Sequence, residues 1–129
     1  MVPRHHGPDA TLCREATAAD DVIEVETATL DQLTADWPRV DLVKIDAEGA
    51  EESIWRGMRQ TLERHQDITI ITEMRCARYA NPPAFVREIL QSGFPLRHID
   101  YDATIKNLTV EQILTNRQAE DWMLFLHRE

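Results

Sequence analysis

Residues 40–52 read Val40-Asp41-Leu42-Val43-Lys44-Ile45-Asp46-Ala47-Glu48-Gly49-Ala50-Glu51-Glu52, and this stretch decides the fold. The segment 40–45 (VDLVKI) is short, apolar and β-rich, which predicts a strand. Asp46 ends it. Beyond it, Ala50, Ile54, Met58 and Leu62 recur at every fourth residue with Trp55 beside them, which predicts one helix over 47–65. Acids crowd its first turn (Glu48, Glu51, Glu52) and bases its later turns (Arg56, Arg59, Arg64, His65), as the helix dipole favours. Residues 68–72 (ITIIT) form a continuous β-branched run, which predicts a strand buried on both faces. Strand, helix and strand together make a βαβ unit with two parallel strands.

Working outward, residues 22–27 (VIEVET) alternate β-branched and acidic positions, as a half-buried strand does. A short helix at 29–33 (TLDQL) follows and ends before Trp37-Pro38. Residues 1–21 carry two prolines and a glycine without apolar periodicity and read as a poorly ordered N-terminal segment; 22–129 read as the domain. His5 and His6 are read as solvated rather than as a metal pair. Downstream, Asn81-Pro82-Pro83 opens a helix over 83–92, with Gly93 as its C-cap. Residues 94–99 (FPLRHI) predict a strand, 108–114 a short helix or turn, and 121–127 (DWMLFLH) a final strand. The expected architecture is α/β, with a mostly parallel sheet and the last two strands paired antiparallel at one edge.

Composition narrows the function. The chain has 129 residues, enough for one domain, and a formal charge of −9. That charge speaks against nucleic acid and against an anionic membrane surface as partners. No apolar stretch is long enough to span a bilayer, and no secretory signal is visible. Two cysteines, Cys13 and Cys76, are too few for a disulfide scaffold, so a cytoplasmic setting is expected. The four glycines, Gly7, Gly49, Gly57 and Gly93, are never closely spaced, so the glycine-rich loop that wraps a nucleotide-like cofactor is missing.

Ligands of open α/β sheets lie beyond the carboxyl ends of parallel strands. Asp46 follows one such strand, Glu73 follows the other, and Glu48 and Glu51 lie just past the first. Converging carboxylates raise at least one pKa, which suits proton abstraction near neutral pH. Oxygen ligands equally suit a divalent cation, but no His or Cys stands at a usable spacing beside them, and no metal is expected. Glu51 and Glu52 are read as stabilising a helix N-terminus with no further role, whereas Asp46 is read as functional. Lys44, inside an apolar strand, needs a partner or a path to solvent.

The run 41–51 (DLVKIDAEGAE), with Gly57 six residues on, resembles the signature of the FkbM family of AdoMet-dependent methyltransferases. Thr29-Leu30-Asp31-Gln32-Leu33 resembles the Thr-Leu-Asp-x-Leu element that precedes it there, and Glu73 and residues 90–96 (LQSGFPL) fit as well. The resemblance spans about residues 22–127 and implies part of a Rossmann-like methyltransferase fold. Strand 40–45 would be the fourth of seven, 68–72 the fifth, and the last two an antiparallel edge pair. It implies S-adenosyl-L-methionine as donor and a small-molecule or sugar hydroxyl as acceptor, hence O-methylation. Asp46, Glu48 and Glu73 become the residues that position or deprotonate that acceptor. The family's first strand with its AdoMet loop, and its second strand with a ribose-binding acid, have no counterpart here. A sheet that starts at its fourth strand exposes an edge, which invites a homo-oligomer or a complementing chain. A non-catalytic interaction module is the alternative function.

Overall fold

The computed structural model describes residues 25–115 and 121–129, together with the backbone of two short strands, β1 (Val2–Pro3) and β2 (Val22–Ile23), which pair antiparallel. Apart from β1, the expected N-terminal segment, with the His5–His6 pair and Cys13, lies outside the described residues, and of the strand expected at 22–27 only Val22–Ile23 is strand, paired with β1 and not with the main sheet, while 25–27 carry no strand.

The domain then runs α1 (Leu30–Leu33), β3 (Leu42–Ile45), α2 (Glu51–Arg56), α3 (Arg59–Arg64) and β4 (Thr69–Met74). A 3-10 turn (Cys76–Arg78) leads to α4 (Pro82–Gln91), β5 (Arg97–Ile99), β6 (Ile105–Asn107), α5 (Val110–Thr115) and β7 (Trp122–His127). Five strands form one sheet in the order β3-β4-β7-β5-β6. The βαβ unit is as expected: β3 and β4 are parallel neighbours, with Ile45 opposite Thr72.

The rest of the sheet corrects the expectation of a mostly parallel architecture. The β4–β7, β7–β5 and β5–β6 pairs are all antiparallel. The physical reason is the place of β7. It returns through the middle of the sheet and pairs along all of β4, from Thr69–His127 to Met74–Trp122. The antiparallel pair of β5 and β7 is therefore internal, and the true edge is β6, which folds back from β5 as a hairpin. Since β5 is antiparallel to β7, and β7 to β4, the strands β3, β4 and β5 share one direction, and their carboxyl ends share one rim.

The helices cover one face of this sheet. Ile45, Ile70, Met74, Leu124 and Leu126 pack in one core with Trp55, Met58 and Leu62 of the α2–α3 segment and Phe85, Val86 and Ile89 of α4. Trp55 is the hub, meeting Phe85 and Phe94 edge to face at 5.6–6.2 Å between centroids. The strand at 68–72 is thus not buried on both faces. Ile70, Thr72 and Met74 are buried, while Thr69, Ile71 and Glu73 are only half-buried. Likewise Lys44 points away from the core and is exposed.

The single helix expected over 47–65 is two helices, broken at Gly57-Met58. The cause lies upstream, in α1. The Gly57 carbonyl accepts from the Asp31 backbone N–H at 2.9 Å, and a Cβ on Gly57 would stand 3.3 Å from the Thr29 Cβ. The Asp31 carboxylate then accepts from the Gln60 and Thr61 backbone N–H groups and from the Thr61 hydroxyl, so it caps α3 from another helix. Burial pushes the Asp31 carboxyl up, but the Thr61 and Gln60 hydrogen bonds, with Arg64 nearby, hold it below the usual range. Asp31→Ala is expected to cost about 1–2 kcal/mol in urea unfolding at neutral pH. Because the folded pKa is depressed, this contribution is complete above the unfolded value of about 4. It fades as pH falls through the lower folded value, so wild type and variant converge on acidification.

Candidate functional site

Asp46 leaves the carboxyl end of β3 and Glu73 lies near that of β4. With Ile45 opposite Thr72, the next residues on the two strands, Asp46 and Glu73, come side by side. Glu48 joins them from the turn before α2, and carboxylate oxygens of the three lie within 4.8 Å of one another.

The turn between Asp46 and α2 is held from inside by Glu51. This side chain is 1% exposed, and its two oxygens accept from the Ala47 and Gly49 backbone N–H groups, each at 2.9 Å. The Tyr79 hydroxyl donates to it at 3.1 Å. Burial, and then the Glu51 charge, push the Tyr79 hydroxyl pKa up, which keeps it a donor. Glu51 therefore does more than complement a helix dipole: it fixes the loop that presents Asp46 and Glu48. The chain turns there through two positive φ angles, +50° at Glu48 and +103° at Gly49. A Cβ at Gly49 would meet the Arg78 Cβ at 3.4 Å as well as carrying that strained φ, which accounts for glycine at this position.

Arg78 spans the rim. It pairs with Glu48 at 2.6 Å and with Glu73 at 3.0 Å. Lys44 answers its expected need by reaching solvent and pairing with Asp46 at 3.0 Å, an exposed contact of little energetic weight. Arg75 grips Asp121, at the start of β7, through both carboxylate oxygens. Asp121 is held low, first by the Arg75 hydrogen bonds. Glu73 goes the other way. Burial raises it, the Arg78 hydrogen bond pulls back, and the charges of Asp121 and Asp46 raise it again, to a net position above the usual carboxylate range. Oxygen donors in this arrangement could hold a hard cation, though Arg78 already bridges two of the three.

Two cavities flank the cluster. One, of about 1080 Å³, runs along β3 and is bounded by Leu33, Val43, Lys44, Asp46, Gly49 and Ser53. The other, of about 470 Å³, lies on the β7–β5 side and is bounded by Glu73, Asp100, Tyr101, Asp121 and Trp122. Asp46 faces the first and Glu73 the second. Among the candidates named from the sequence, Asp46, Glu48 and Glu73 are brought together. Arg78, Tyr79, Arg75 and Asp121 went unnoticed there, although Arg75 and Arg78 directly follow an acid-bearing strand end.

The model of the methyltransferase FkbM domain matches residues 6–126. The chain belongs to the FkbM methyltransferase family. No curated protein and no solved structure matches it. Among the described residues, no helix is long and apolar enough to cross a membrane.

Proposed function

We propose that this FkbM domain is part of an AdoMet-dependent O-methyltransferase, built on the C-terminal part of a Rossmann-like sheet and acting on a small-molecule or sugar hydroxyl. The observation that carries this reading is the convergence of Asp46, Glu48 and Glu73 within 4.8 Å at one rim, between two cavities. A carboxylate cluster fits a cofactor whose reactive centre is a sulfonium cation, and the β3-side cavity, which Asp46 borders, is large enough for a ligand of that kind. Asp46, Gly49 and Ser53 would form its wall. When bound, AdoMet supplies an electrophilic methyl group. Asp46 and Glu48 would orient the acceptor hydroxyl, and Glu73, with its raised pKa, would take the hydroxyl proton. Arg78 holds Glu48 and Glu73 in a fixed relation during this exchange.

A second reading is supported by the free edge of β3. Among the described residues β3 pairs only with β4, and Leu42 on it is 57% exposed. That edge suits a strand from a second copy or a complementing chain. In this reading the domain completes its sheet in trans, and its role is assembly rather than catalysis. Isothermal calorimetry with AdoMet separates the two: the methyltransferase reading predicts saturable heat, with weaker binding in Asp46→Asn. No heat at millimolar AdoMet would leave the assembly role.

A further inference from the structure

The cavity on the β7–β5 side of Glu73 is bordered by three carboxylates, Glu73, Asp100 and Asp121, and by no lysine or arginine among the described residues. The cations that serve these acids stand outside it, and two of them are divided. Arg78 is shared between Glu73 and Glu48, and Lys106 between Asp100 and Asp102. Asp121 is held by Arg75. The wall is therefore negative on balance. It repels a phosphate or carboxylate and attracts a cation.

A metal ion is not the cation that fits. Hard ions need several oxygens converging on one point. The described acids that converge within 4.8 Å are Asp46, Glu48 and Glu73, and of these only Glu73 borders this cavity. Asp100 and Asp121 stand outside that group, and a space of about 470 Å³ is far larger than an ion. Negative charge spread around a roomy wall suits a cation whose own charge is spread over alkyl groups.

Aromatic rings supply the rest of the wall. Trp122 borders it with its ring crossed edge to face against His98, at 4.9 Å and 86°. Tyr101, on the β5–β6 turn, is 93% exposed, yet the turn that carries it is braced. The Tyr101 N–H donates to Asp100 at 2.8 Å, the Thr104 hydroxyl donates to Asp102 at 2.6 Å, and Lys106 clasps both aspartates. The face of an aromatic ring is the negative part of its quadrupole, so it attracts an alkylated ammonium ion and covers its methyl groups.

We infer that this cavity binds a small organic ammonium ion, its alkyl groups on Tyr101 and Trp122 and its charge facing Glu73, Asp100 and Asp121. The inference rests on the methyltransferase reading only in making this ion the acceptor, an amino alcohol anchored by its charge; the binding itself does not need that reading.

The test is an NMR titration of the full, isotope-labelled chain, read at the indole N–H of Trp122, one of three tryptophans. Choline is the probe. Its neutral isostere 3,3-dimethylbutan-1-ol keeps the shape without the charge. Phosphocholine ties the same cation to a phosphate, as a lipid headgroup does, and magnesium chloride supplies a hard cation. The expected result is a saturable Trp122 shift with millimolar choline, about tenfold weaker binding of the isostere and of phosphocholine, and a choline affinity that falls as salt rises. Tyr101→Ala, at an exposed site, should keep the fold and weaken choline about fivefold, and Tyr101→Phe should restore most of the affinity. The inference is overturned if choline leaves Trp122 unmoved, if the isostere or phosphocholine binds as tightly, if magnesium displaces choline at equal concentration, or if Tyr101→Ala binds as well as wild type. Displacement of choline by AdoMet would make this the cofactor's own sulfonium site and would overturn it too. AdoMet calorimetry keeps the two proposals apart. AdoMet heat without a choline shift removes the ammonium site and spares methyl transfer. A choline shift without AdoMet heat does the reverse.

Discussion

Glu51→Ala lowers the stability of the domain by about 3–5 kcal/mol, which we expect to be the largest effect of any single substitution at the rim. The carboxylate is 1% exposed and satisfies three donors, the Ala47 and Gly49 N–H groups and the Tyr79 hydroxyl. Truncation leaves the Tyr79 hydroxyl unpaired in a buried spot and the Ala47 and Gly49 N–H groups unpaired in a half-buried one, at about 1–3 kcal/mol per group before relaxation. Partial opening of the loop recovers some of this, so the sum is not reached. Tyr79→Phe, which removes one donor and its need together, should cost only about 1 kcal/mol. Urea unfolding followed by tryptophan fluorescence measures both. A Glu51→Ala loss under about 1 kcal/mol would mean that the loop is held by something else.

Neutralising the rim should abolish turnover while sparing the fold. Asp46→Asn and Glu73→Gln are each expected to slow methyl transfer by about 10²–10⁴-fold, the usual worth of a positioned acid–base group. Asp46 is exposed, so its replacement should shift stability by no more than about 0.5 kcal/mol. If the two carboxylates act as a unit, the double variant is hardly slower than the worse single one. S-adenosylhomocysteine release reports the rate. Its pH profile carries a further sign. Glu73 must be ionised to accept a proton, and burial with nearby Asp121 and Asp46 raises its pKa. Activity therefore rises with pH through a value above that of an ordinary glutamate, and Asp46→Asn moves that rise to lower pH. Two additive losses, or a profile unmoved by Asp46→Asn, would separate the two residues functionally.

The βαβ unit and its strand-end acids are legible in the sequence because they rest on local signals. A β-branched run, fourfold apolar spacing and an acid at each strand end need no knowledge of distant neighbours. That is why Asp46, Glu48 and Glu73 could be named together before any coordinates. The break at Gly57 is not legible in that way, because its causes are Thr29 and the Asp31 carboxylate, both contributed by another helix. Periodicity alone reads straight through it. The position of β7 is hidden for a related reason. The pattern of residues 121–127 announces a strand with a buried face but not its neighbours, and only the register with β4 places it inside the sheet. Glu51 shows the limit for single side chains. An acid in a first helical turn has an adequate local explanation, and the larger role depends on Tyr79 folding back over it.

The claim beneath all of this is that Asp46 and Glu73, from neighbouring parallel strands, share one electrostatic site. Carbon-13 NMR titration of the Glu73 carboxyl, in wild type and in Asp46→Asn, tests it with no need for an acceptor. Glu73 is expected to titrate above the ordinary glutamate range in the wild-type chain and measurably lower once Asp46 is neutral. An unchanged Glu73 midpoint in the variant would place the two carboxyl groups apart and contradict it.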